Sequence, residues 1–170
     1  NVDELFALLV SIGQHPKEHS DTMTVLEKIG HYLDVENDRL RQIHSPLGTD
    51  PDISRLIGEQ LDVREILRMS ARDFDGGYAF AGLIGHGDAF VLRDPRGIRP
   101  CFLYESKEVF AVASERVPLM TVFDATAGEI REVPPGHVLI LRRDGTASVA
   151  PFADPDSAVV ATAETLARGA

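Results

Sequence analysis

The chain has 170 residues, a formal net charge of −10 and a single cysteine, Cys101. This length suffices for one domain with a real hydrophobic core and is short for two. The acidic surface argues against nucleic acid, whose phosphates must be neutralised by Lys and Arg, and a lone cysteine excludes an internal disulfide or an all-cysteine metal or iron–sulfur site built from these residues alone.

No window reaches the roughly eighteen consecutive apolar residues of a membrane span, and the opening "NVDELF" is not a basic, apolar signal peptide. The expectation is a soluble protein of the reducing cytoplasm. In chain order, Leu5, Leu8, Leu9 and Ile12 share one face at a 3.6-residue period and predict a helix over Val2–Ile12, stopped by Gly13 and the Pro16 turn. Ser20 stands as N-cap of a second helix, with Asp21 in its first turn and Val25, Leu26, Ile29 and Leu33 as its buried stripe, ending near Asp34. Residues Val35 to Gly58 are polar and carry Pro46, Gly48 and Pro51, which reads as a surface excursion with short helical turns. Helical spacing returns through Leu61, Ile66, Leu67 and Met69 in "LDVREILRMSARDF", closed by Gly76-Gly77.

From Tyr78 the period shortens. Apolar runs bounded by Gly, Asp and Pro predict strands at Tyr78–Ile84, Ala89–Leu92, Cys101–Tyr104, Val109–Ala113 and His137–Leu141, the first two joined as a hairpin by Gly85-His86-Gly87-Asp88. Helices followed by an antiparallel meander predict an α+β layered fold, with the helices over one sheet face. The final "ADPDSAVVATAETLARGA" turns Ala-rich and reads as a small helix or a ragged end.

The stretch "RDPRGIRP", Arg93 to Pro100, admits two readings. In one, Pro95 fixes φ, Gly97 allows a positive φ and Asp94 caps a turn whose arginines are solvated or paired. In the other, Arg93, Arg96 and Arg99 clamp a phosphate or carboxylate. Spacing does not choose between them. His15, His19, His31, His44, His86 and His137 are scattered without a zinc-like companion set, and Gly85-His86-Gly87 lacks the helix and lysine that follow in a phosphate loop. Cys101 opens an apolar strand and reads as a small hydrophobe rather than a nucleophile.

Four segments in order, "SDTMTVLEKI" (Ser20 to Ile29), "YAFAGLIGHGDAFVLRDPRGIRP" (Tyr78 to Pro100), "VASERVPL" (Val112 to Leu119) and "PPGHVLILRRDG" (Pro134 to Gly145), closely resemble the glutaminase domain of amidophosphoribosyltransferases. Other class II amidotransferases, such as glucosamine-6-phosphate synthase and asparagine synthetase, share a weaker version of the Arg-Asp-Pro-x-Gly turn. The resemblance makes residues 1–150 a partial class II glutamine amidotransferase domain and residues 151–170 a divergent tail. It implies an N-terminal-nucleophile hydrolase fold, an αββα sandwich of antiparallel sheets incomplete at its N-terminus. Its chemistry is hydrolysis of glutamine by an N-terminal cysteine whose α-amine is the general base, with ammonia passed to a phosphoribosyltransferase domain in the first step of purine synthesis.

The family's Cys-Gly-Ile start, the Arg of its His-x-Arg-Tyr segment and its oxyanion-hole Asn-Gly have no counterpart here; Asn1 matches instead an Asn that begins a helix. The resemblance therefore implies no catalytic residue in this chain, a fragment inactive alone, and exposed sheet edges that favour self-association. It carries over one site residue, Asp21, which would receive the α-amino group of glutamine; the plainer alternative is a carboxylate that complements the helix dipole, worth about 0.3–1 kcal/mol. The three arginines would be structural or would contact the transferase domain. No cofactor is expected in this segment, although the parent family uses magnesium and, in some members, an iron–sulfur cluster. Expected partners are glutamine, the phosphoribosyltransferase domain and further copies of the chain as a homo-oligomer. Another class II amidotransferase, a non-catalytic glutamine- or protein-binding domain, and a scaffold with a vestigial pocket are the alternatives.

Overall fold

A computed structural model describes residues 1–45 and 49–152, and the chain divides into two compact units, Asn1–Asp75 and Gly76–Ala170. The first holds four helices: α1 Val2–Ser11, α2 Asp21–His44, α3 Asp50–Gln60 and α4 Val63–Ala71. α2 is the spine against which the other three pack. Its start is as the sequence suggests, with Ser20 extended and its Oγ accepting from the Met23 amide at 3.3 Å. Its length is not. α2 runs ten residues beyond Asp34, and α3 begins at Asp50, so Val35 to His44 and Asp50 to Gly58 are helical rather than a surface excursion.

The physical reason is that no Gly or Pro interrupts Val35 to His44, and polarity there marks an exposed helical face rather than a loop. Arg39 donates to both carboxylate oxygens of Glu36 at 2.7 Å, a contact between successive helical turns. Pro51 lies in the first turn of α3, where a missing N–H costs nothing. The buried stripes also differ from expectation: α1 buries Leu5 and Leu9 while Leu8 and Ile12 stay exposed, and α2 buries Thr24, Lys28, Leu40 and His44 rather than Val25, Leu26, Ile29 and Leu33. Lys28 is tolerated in the interior because its Nζ lies 2.6 Å from Asp73 Oδ2 and 5.3 Å from the centre of the Phe74 ring. α4 starts two residues later than Leu61, capped by Asp62 accepting from the Glu65 amide, and ends at Ala71, short of Gly76-Gly77.

The second unit contains β1 Ala79–Leu83, β2 Ala89–Arg93, β3 Phe102–Glu105, β4 Phe110–Ala113, α5 Arg116–Phe123, a 3-10 turn at Ala127–Glu129, β5 Ile130–Glu132, β6 His137–Leu141 and β7 Ala147–Pro151. All five expected strands are present, within two residues at each end. The strands are antiparallel and form two sheets, ordered β1-β2-β6-β7 and β4-β3-β5. The simple meander is corrected by this order: the chain leaves the first sheet after β2, builds the second, and returns as β6 beside β2.

Val91 of β2 and Leu139 of β6 meet Leu103 of β3, together with Cys101 and Val133, so the two sheets bury a shared apolar core between them. On the opposite face of the three-stranded sheet, Leu119 of α5, Ala125 and Ile130 pack with Phe102 and Tyr104, and the Tyr104 ring stacks on Phe123 at 4.8 Å. The α+β class is therefore as expected, with this unit layered sheet, sheet, helix. The Ala-rich end lies outside the described residues from 153 onward.

Candidate functional site

β2 runs into the turn at Arg93 to Pro100, and its first two residues are among the most buried polar groups of the chain, Arg93 at 3% exposure and Asp94 at 0%. Asp94 organises the loop. Its Oδ1 and Oδ2 accept from the Ile98 and Arg99 amides, each at 3.0 Å, while its own amide donates to Tyr78 O and its carbonyl accepts from Gly97 and Gly136. Gly97 has φ +64°, and a Cβ there would stand 2.8 Å from Pro135 Cγ, so the turn requires glycine for both conformation and space.

Arg93 completes the loop from within. Its Nε donates to Arg99 O at 2.8 Å, Nη2 to Gly97 O at 3.2 Å, and Nη1 to both Glu132 Oε1 at 2.7 Å and Val133 O. Every guanidinium nitrogen is thereby engaged with protein, and the three-arginine clamp does not form: Arg93 points inward, while Arg96 and Arg99 are exposed. Of the two readings of "RDPRGIRP", the capped structural turn is the one observed. Burial, with the Asp94 charge adding to it, pushes the nearby Tyr78 phenol far above its ordinary range.

Cys101 follows this turn and lies in the core between the sheets, 4% exposed. Burial pushes its thiol up, against a smaller opposing pull from the Arg93 charge, so it is poorly placed to act as a thiolate. The reading of Cys101 as a small hydrophobe agrees with this position.

Asp21 is the first residue of α2 and is exposed. Its Oδ1 accepts from the Thr22 amide at 2.7 Å and lies 3.4 Å from Thr22 Oγ1, which holds the carboxylate against the helix start. Beside this end of the helix, His19 Nε2 lies 3.0 Å from Asp3 Oδ1 and its ring is 4.7 Å from that of Phe6. Asn1 occupies the N-cap position of α1 without a side-chain capping bond, and its Nδ2 donates instead to Asp73 O at 2.8 Å.

One polar cluster escaped sequence reasoning. Asp88, 2% exposed, accepts from Arg142 Nη1 at 2.8 Å and from the Arg143 amide at 2.9 Å, with His86 Nε2 3.0 Å away. Burial pushes its carboxyl up, but the Arg143 amide, the His86 ring and the Arg142 charge together outweigh that and hold it below the ordinary carboxylate range. The cluster ties the β1–β2 hairpin to the β6–β7 hairpin; the only signal in the sequence is the acid of "HGD" and the later "RRDG". Among the described residues, no three His, Cys, Asp or Glu side chains are grouped to hold a metal ion.

No protein-family model matches the chain. It is 30% identical over 116 residues to a protein of Methanothermobacter thermautotrophicus named "Putative glutamine amidotransferase", covering 68% of this chain and 34% of the relative. Among solved structures, the glutamine phosphoribosylpyrophosphate (PRPP) amidotransferase of B. subtilis, complexed with ADP and GMP, superposes with a TM-score of 0.63 at 23% identity, over 90% of this chain and 27% of that one. A second solved chain, described as the allosteric regulatory enzyme of purine biosynthesis, gives the same TM-score and identity over 26% of its length. The chain thus spans about a third of its relative and about a quarter of each solved chain. By fold, and by its sequence likeness to the archaeal relative, the chain is similar to a glutamine amidotransferase domain of the kind found in PRPP amidotransferase.

Proposed function

We propose that the chain is part of the glutaminase domain of an amidophosphoribosyltransferase-like enzyme of the cytoplasm, which releases ammonia from glutamine for transfer to phosphoribosyl pyrophosphate. The observation that carries this reading is the turn at Arg93 to Pro100. The motif that suggested the family from sequence is built as a structural turn held together by the buried Arg93 and Asp94, inside a fold that matches the PRPP amidotransferase over nine-tenths of the chain. "SDTMTVLEKI" opens α2 and "PPGHVLIL" leads into β6, so the other motifs also fall at element boundaries.

On this reading Asp21 receives the α-ammonium of glutamine. An ammonium ligand is best met by a carboxylate already fixed in place, and the Thr22 contacts fix this one at a capped helix start. The attacking thiolate is not Cys101, which is buried with its thiol raised; the nucleophile and oxyanion hole belong to other parts of the enzyme, and this chain supplies the amino-acid end of the pocket. On this reading any magnesium or iron–sulfur cluster of the enzyme is held outside this segment, whose one cysteine is buried in the core. On the same reading a phosphoribosyltransferase domain accepts the ammonia, and the enzyme is a homo-oligomer. Among the described residues no helix is long and apolar enough to cross a membrane.

Glutamine-dependent ammonia release by the intact enzyme tests the proposal. Asp21→Asn should raise KM for glutamine with little change in kcat. The burial of Cys101 also fits a second reading, a domain that binds glutamine without hydrolysing it; release of no ammonia by the intact protein, with glutamine still bound, would favour that one.

A further inference from the structure

We draw no further inference here: the strongest candidate, the apolar cavity between the two sheets lined by Ala81, Leu83, Phe90, Phe110, Val112 and Leu139, carries nothing because nothing in the structure shows what covers it.

Discussion

Arg93 and Glu132 lie 2.7 Å apart, Nη1 to Oε1, and join the end of β2 in one sheet to the end of β5 in the other. Arg93 is almost wholly buried whereas Glu132 is half exposed, so the energy of the contact resides mainly in what Arg93 does inside, where it also satisfies the carbonyls of Gly97, Arg99 and Val133.

Arg93→Met should therefore destabilise the fold by about 3 kcal/mol, since it strands several buried carbonyls at once. Arg93→Lys should recover little of this, because an ammonium cannot reproduce the planar fork. Arg99→Ala, which removes an exposed side chain and leaves its backbone contacts in place, should stay within about 0.5 kcal/mol. Urea unfolding of the three variants checks the ordering; equal losses for Arg93→Met and Arg99→Ala would refute the buried-turn account.

Gly97→Ala combines a left-handed φ with a clash against Pro135. The conformational part alone costs roughly 1–2 kcal/mol. Thermal unfolding should show the loss, and a second substitution, Pro135→Ala, should restore part of it by removing the ring that the new methyl meets.

Acid stability should report on Asp88. Its folded-state carboxyl is held below the ordinary range, so the stability it contributes is fully present above the unfolded value of about 4 and is lost as the pH falls through the folded value. Asp88→Asn should lower stability at neutral pH and flatten the fall between about pH 5 and pH 2. Denaturation curves at stepped pH would expose an error here if wild type and variant ran parallel.

Cys101 should react slowly with iodoacetamide in the native protein and rapidly once unfolded, because both burial and the raised thiol disfavour the thiolate. On the proposed function, Cys101→Ala should leave ammonia release by the intact enzyme unchanged apart from a loss of stability. Abolished turnover in a folded variant would contradict this and make Cys101 a candidate nucleophile.

Much of the fold is legible in the sequence, and the failures have physical causes. The β1–β2 hairpin was announced by Gly85-His86-Gly87-Asp88, and Gly87 indeed takes φ +113°. The far half of α2 was hidden because its inward side combines Leu40 with His44, continuing Thr24 and Lys28, a set that no apolar periodicity detects. β5 is only three residues long with Ile130 alone buried, and β7 is an outer strand with mostly exposed side chains, so neither shows strand alternation. α5 leaves Val117 and Val122 exposed and carries Pro118 in its first turn, which disguises it as a loop. At the candidate site, Asp94 as a capping residue was readable from the turn chemistry. The inward course of Arg93 was not, since two of its partners, Glu132 and Val133, lie about forty positions away in sequence.

The most direct measurement is calorimetric titration of glutamine into the protein, wild type against Asp21→Asn. If Asp21 holds the ligand's ammonium as proposed, replacing its carboxylate by an amide removes a charge-assisted contact, and at an exposed site roughly a tenfold loss of affinity is expected, with unfolding free energy changed by less than about 1 kcal/mol. Equal affinity in the two proteins would contradict the assignment of Asp21 and leave it as a residue that only complements the start of α2.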